Sequence, residues 1–320
     1  MKKIVFLDAD TLGHDIEMRK PNFQHIWQSY PKTQYSELFD RANEADIIIT
    51  NKVNLDANTL AQLPKLTHVA VAATGTNCVD LIAAKNLNIG VSNVPGYGTN
   101  SVVEHVYSMI LALRKGLIPY KQDIKDGKWQ QSEQFCFYNQ SLQDIRATTI
   151  GIVGTGSIAL AVAKIAEAFG MHVMFHSVSG RTDLPGYALV NFEELLQHSD
   201  IVSIHCPLSP KSENMFGPEA FTHMKPNALL INTARGSIVN LDALYEALLE
   251  RQLAGAGIDV ATQEPPDNDA AILKLNHLPN CIVTPHTAWA SEQARQVLVE
   301  EVIQNIEAAA SDQARNIVNA

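Results

Sequence analysis

A chain of 320 residues, 46% hydrophobic and 18% charged, is long enough for two packed domains and has the composition of a globular protein rather than a disordered one. Its formal net charge of −10 argues against a nucleic-acid surface and against a polybasic membrane anchor, both of which need clustered positive charge. The four cysteines, Cys78, Cys136, Cys206 and Cys281, form no C-x-x-C pair, so no metal site and no disulfide framework is expected, and a reducing cytoplasm fits best.

Taken in chain order, Lys2 and Lys3 lead into the apolar run 4–7. Asp8 and Asp10 cut that run far short of a signal-peptide core or a membrane span, so it reads as a buried first strand. Runs at 46–50, 67–72 and 89–93 predict three further strands of a small sheet. The turn residues Val94-Pro95-Gly96-Tyr97-Gly98 mark a hinge, and Ser101 opens a helix whose apolar face is Val102, Val103, Val106, Met109, Ile110 and Leu113. A second series of strands is predicted at 149–153, 172–175, 201–205, 229–232, 256–260 and 282–284, with amphipathic helices between them. Such alternation builds parallel sheets covered by helices, so the fold class is α/β with a six-stranded doubly wound sheet in the second domain. A last helix, from about 291 to 310, has no strand left to pair with in this series and is expected to return to the first domain.

The segment Gly151-Ile152-Val153-Gly154-Thr155-Gly156-Ser157-Ile158-Ala159 passes from a strand through a tight turn into a helix. Gly154 permits the turn, Gly156 lets backbone approach a pyrophosphate, and Ala159 lets the helix lie close to the strand, which is the arrangement of a dinucleotide site at a helix N-terminus. The acid that should contact the ribose about 20 residues further on is missing. Ser177 and Arg181 stand there instead, which suits a 2′-phosphate and favours NADP over NAD.

Ligands of open parallel sheets lie outside the carboxyl ends of the strands. Arg235 follows the strand at 229–232, Asp259 and Glu264 follow that at 256–260, and His286 follows the last strand. Reducing a 2-oxo acid calls for a guanidinium to pair with carboxylate and carbonyl oxygens, an imidazole to give a proton to the developing alkoxide, and a carboxylate to orient that imidazole. Arg235, His286 and Glu264 fit those roles in that order. Singly, each is more simply a surface ion pair, loop polarity or a structural histidine; it is their joint placement at strand ends that counts.

These stretches, with Val94-Pro95-Gly96-Tyr97-Gly98-Thr99 and Thr284-Pro285-His286, resemble the D-isomer-specific 2-hydroxyacid dehydrogenase family over nearly the whole chain. The resemblance implies a Rossmann dinucleotide-binding domain, residues 99–288, inserted into a flavodoxin-like substrate domain, residues 1–98 and 289–320. It implies Arg235, Glu264 and His286 as catalytic residues. Cofactor contacts would come from Ser157, Ile158, Cys206, Pro207, Thr233, Ala234 and Asp259, with Thr99 near the nicotinamide. Lys52, Val53 and the backbone of Thr74-Gly75-Thr76 would close on the substrate carboxylate, and the helix after Ser101 with the Trp129 segment would form a homodimer contact. Within the family, Trp129, Ser132, Phe135, Cys136 and His286-Thr287-Ala288-Trp289 look most like glycerate dehydrogenases, also called hydroxypyruvate reductases. A D-lactate-type or phosphoglycerate dehydrogenase is the nearest rival. A dinucleotide-sensing corepressor on the same fold is the remote alternative, and tails carrying interaction motifs would favour it.

Overall fold

The computed structural model describes residues 1–311 and 313–319. It divides into two compact units, Met1–Gly98 with Ala290–Ala320, and Thr99–Trp289.

In the first unit, β1 (Lys2–Phe6), β2 (His25–Ser29), β3 (Ile47–Thr50), β4 (His68–Val71) and β5 (Gly90–Ser92) pair in parallel in the order β2-β1-β3-β4-β5. This is the flavodoxin-like order. Ile47, Ile48 and Ile49 are all buried, as expected where helices cover both faces of a parallel sheet. Sequence reading missed β2. It is an edge strand bonded to β1 alone, and its half-exposed His25-Ile26-Trp27-Gln28-Ser29 lacks the continuous apolar run that reveals a doubly covered strand. The helix Glu292–Ala310, capped by Ser291, packs on β4, and buried Asn305 donates to the Asn93 carbonyl at 2.9 Å.

The second unit holds β6 (Thr149–Val153), β7 (His172–His176), β8 (Ala188–Leu189), β9 (Ile201–Ile204), β10 (Leu229–Asn232), β11 (Gly255–Ile258) and β12 (Cys281–Val283). All pair in parallel in the order β12-β11-β10-β9-β6-β7-β8, so the sheet has seven strands among the described residues, not six. The extra strand, β8, is two residues at the sheet edge, too short to leave a hydropathy signal. Chain order reverses between β6 and β9, the switch point at which a doubly wound sheet opens a crevice for ligand. Alternate residues serve opposite faces: Ile150, Ile152 and Ile231 pack against Val106, Ile110 and Val162, while Val202, Ile204 and Leu230 pack against Leu195, Phe221 and Leu244. Among the described residues no helix is long and apolar enough to cross a membrane.

Candidate active site

At the carboxyl end of β6, Gly154 has φ +116°, and a Cβ there would stand 2.6 Å from the His205 carbonyl carbon. Only glycine satisfies both constraints. Gly156, the N-cap of the helix Ser157–Ala168, differs: its φ is −83°, and a Cβ would meet nothing within 4 Å. Nothing inside the chain therefore requires glycine at 156. Glycine there leaves the backbone open to close approach by a ligand, and the unbonded N–H groups and positive dipole end of the first helical turn suit a pyrophosphate. Ala159 is fully buried, letting the helix lie against the sheet. A second sign of a missing partner lies after β10, where Thr233 Oγ1 is buried with no hydrogen-bond partner among the described residues. The residues present thus fit a dinucleotide.

Ser177 Oγ accepts the Arg181 N–H at 2.7 Å, closing the turn after β7 and leaving the Arg181 side chain exposed. Cys206 is buried, and burial pushes its thiol up to about 11, so its side chain is core and Pro207 is the exposed member of that pair. Ile158 and Ala234 are half-buried, Ser157 is exposed, and Thr99 begins the helix Thr99–Arg114.

The turn carrying Arg235 is held by Asn232, fully buried. Its side-chain amide donates to the Arg235 carbonyl at 3.0 Å, and its Oδ1 accepts the Ala234 N–H at 3.0 Å. The next residue, Gly236, touches the loop after β11, since a Cβ on it would lie 2.1 Å from the Ala261 carbonyl carbon. Arg235 is half-buried and donates to the Ala234 carbonyl at 2.6 Å.

His286 Nδ1 lies 2.5 Å from Glu264 Oε2, while Glu264 Oε1 accepts the Ala261 N–H at 2.9 Å. With Nδ1–H donating to the carboxylate, Nε2 is the nitrogen left to exchange a proton with a ligand. His286 sits at φ +55°, a left-handed conformation uncommon for a residue with a Cβ and often found where function demands it. Asp259 imposes it. Its carbonyl accepts the His286 N–H at 2.7 Å, and its buried carboxylate accepts the Thr284 hydroxyl at 2.5 Å, the Thr287 N–H at 2.9 Å and the Ala288 N–H at 3.0 Å. His105 Nε2, 3.0 Å from Thr284 Oγ1, completes this network. The sequence alone assigns no role to His105, Asn232, Gly236 or Thr284. Only the glycine after Arg235 was a usable signal. A largely apolar cavity of about 440 Å³ adjoins the pair, lined by Glu264, Pro265, Ile272, Leu273, Pro285 and His286 among others.

The residues expected to meet substrate from the first unit lie at the ends of β3 and β4. Lys52 is exposed and Val53 half-buried; Thr74 is exposed and Gly75 and Thr76 half-buried.

An imidazole oriented by a carboxylate, on the same sheet edge as a dinucleotide turn, serves hydride transfer coupled to proton delivery, which places the second unit among nicotinamide-dependent oxidoreductases. Residues 107–288 match the NAD binding domain of D-isomer specific 2-hydroxyacid dehydrogenases. The chain is 43% identical over its whole length to the glycerate dehydrogenase of Methylorubrum extorquens, covering 99% of that protein. Among solved structures, a Thermus thermophilus protein superposes with a TM-score of 0.85 at 29% identity, with 99% of each chain covered. An NADPH-dependent glyoxylate/hydroxypyruvate reductase of Sinorhizobium meliloti gives 0.81 at 25% identity, covering 99% of this chain and 98% of that one. The chain belongs to the D-isomer specific 2-hydroxyacid dehydrogenase family. It is an NAD(P)-dependent oxidoreductase acting on the CH–OH group of its donor.

Proposed function

We propose that this enzyme reduces hydroxypyruvate and glyoxylate, with NADPH preferred over NADH, as a cytoplasmic homodimer. The observation that carries the reading is the His286–Glu264 pair at the carboxyl edge of the dinucleotide-binding sheet. Gly154, Gly156, Ser157 and Thr233 would hold the dinucleotide, whose reduced nicotinamide would supply the hydride that C2 of the 2-oxo acid receives. The Arg235 guanidinium pairs with the carboxylate and the carbonyl oxygen of the 2-oxo acid, polarising the carbonyl. His286 Nε2 gives its proton to the oxygen as negative charge develops there, and Glu264 stabilises the imidazolium before transfer. The backbone of Thr74-Gly75-Thr76 and the loop at Lys52-Val53 close on the substrate carboxylate.

The preference for small, polar 2-oxo acids is supported by the names of the relatives, one a glycerate dehydrogenase and one a glyoxylate/hydroxypyruvate reductase. The NADPH preference is supported by the exposed Arg181 and the absence of a carboxylate at Ser177. Dimerisation is supported by the exposed apolar side chains of Leu117, Ile118, Ile124, Trp129, Phe135 and Tyr138, crowded into one stretch.

The test is kcat/KM for hydroxypyruvate, glyoxylate and pyruvate with each cofactor, and sedimentation of the purified protein. Hydroxypyruvate should exceed pyruvate by roughly tenfold or more with NADPH, as expected where a site hydrogen-bonds the substrate hydroxyl. A preference for pyruvate would select the D-lactate-type alternative instead.

A further inference from the structure

Two loops border the carboxyl edge of the first sheet, and their N–H groups are used differently. The N–H groups of Thr74, Gly75 and Thr76, after β4, donate to no described residue. Those of Asn51, Lys52 and Val53, after β3, all converge on one carboxylate. Asp8, just past the end of β1, is 3% exposed. Its Oδ2 accepts Lys52 N–H at 2.7 Å and Val53 N–H at 3.2 Å, and its Oδ1 accepts Asn51 N–H at 2.9 Å. Thr50 Oγ1 braces the same loop, lying 3.4 Å from Asp8 Oδ2 and accepting the Val53 N–H at 3.0 Å.

A buried carboxylate is costly unless hydrogen bonds satisfy it. Here the donors are successive backbone amides, so the loop can wrap only one way round the carboxylate. The arrangement also decides what residues 51–53 offer a ligand. All three amides that would otherwise cup an anion, those of Asn51, Lys52 and Val53, are committed to the protein, whereas those of 74–76 are not.

We infer that Asp8 is a positioning residue for the reductase reaction: it locks the 51–53 loop so that Lys52 reaches the substrate carboxylate through its side chain, while the amides of residues 74–76 supply the backbone donors. This rests on the substrate contacts set out under Proposed function. Asp8 itself touches no reacting atom. A buried carboxylate placed only for stability would, when neutralised, lower the melting temperature and leave the Michaelis constant alone.

The experiment compares wild type with Asp8→Asn, Thr50→Val, Lys52→Met and the double variant Asp8→Asn/Lys52→Met. It measures kcat and KM for the best 2-oxo acid, NADPH affinity by fluorescence, and hydrogen exchange of peptides covering 50–55. Asp8→Asn should speed exchange at 51–53 and raise KM by about 10-fold to 100-fold, the scale set by displacement of a binding group by about 1 Å, with NADPH affinity unchanged. Lys52→Met should raise KM comparably, and Asp8→Asn should add little on that background. Thr50→Val, which removes one brace and keeps the carboxylate, should do the same as Asp8→Asn to a smaller degree and covers the case in which Asp8→Asn does not fold. An unchanged KM in Asp8→Asn or Thr50→Val, or full additivity in the double variant, would overturn the inference. Wild type inactive on every 2-oxo acid would instead count against the reductase reading itself, while the exchange comparison still tests the lock.

Discussion

Glu264→Gln removes one negative charge from the His286 pair at nearly constant volume. The carboxylate oxygen and Nδ1 are 2.5 Å apart, and the side chains are 34% and 24% exposed, so water screens them strongly. With an effective dielectric constant of about 80, Coulomb's law gives 332/(80 × 2.5), about 1.7 kcal/mol, for the support the carboxylate lends the imidazolium, and about twice that at a dielectric constant of about 40. The smaller figure alone is a fall of about 20-fold in kcat. The amide also cannot satisfy both neighbours as the carboxylate does. If its oxygen keeps the Ala261 N–H, its NH2 faces Nδ1 and forces that nitrogen to accept, leaving a neutral ring to act as the acid. Single-turnover oxidation of NADPH at 340 nm, with NADPH affinity measured separately by fluorescence, isolates the step. The expected result is a loss of about 20-fold or more with cofactor affinity within twofold of wild type. A kcat within twofold of wild type would refute the role given to the pair.

Other outcomes follow from the same structure. Gly154→Ala, with a Cβ 2.6 Å from the His205 backbone at φ +116°, should cost more than about 2 kcal/mol by denaturant unfolding and abolish dinucleotide binding, whereas Gly156→Ala should fold normally yet bind NADPH roughly tenfold or more weakly. Normal binding in Gly156→Ala would put the pyrophosphate elsewhere. Arg181→Ala should weaken NADPH binding by about 10-fold and leave NADH binding unchanged, as removal of a charge-assisted phosphate contact predicts; equal effects on both cofactors would remove the basis for the preference. Burial, aided by the charge of Lys2, pushes His68 down to about 4, and burial pushes His205 down to about 4. Both are neutral in the native state, so their contribution is complete above about pH 6.5, where the unfolded chain is also neutral, and is lost as pH falls towards 4; Asp8, raised by burial, works in the opposite sense. The melting temperature should therefore drop across that window, less steeply in His68→Gln, and identical slopes would contradict the assignment.

Much of the fold was legible because doubly covered parallel strands must be apolar on both faces. Ile47-Ile48-Ile49 and Leu229-Leu230-Ile231 announce themselves for that reason, while the edge strands β2 and β8, each with one neighbour, do not. Glu264 and His286 were legible for a different reason. Strand ends are where a parallel sheet presents ligands, and polar residues placed just after apolar runs stand out there. What stayed hidden depends on the third dimension. Asp8 reads as a residue that ends an apolar run, and its bonds reach residues 43 to 45 positions away. Asp259 was expected at the cofactor; in the structure its carboxylate holds the loop that sets the His286 backbone, an arrangement no spacing rule encodes. Cys206 follows its strand as a cofactor contact should, yet its thiol points into the core, since residues at a strand end alternate between core and crevice like those within it.

Hydride and proton delivery at this site are tested most directly by product analysis after reduction of hydroxypyruvate by NADPH carrying two deuterons at C4, for wild type and His286→Ala. Wild type should give a D-configured 2-hydroxy acid carrying deuterium at C2, and His286→Ala a rate about 10²-fold to 10⁴-fold lower with NADPH affinity retained. An L-configured product, deuterium absent from C2, or an undiminished rate in His286→Ala would contradict that chemistry.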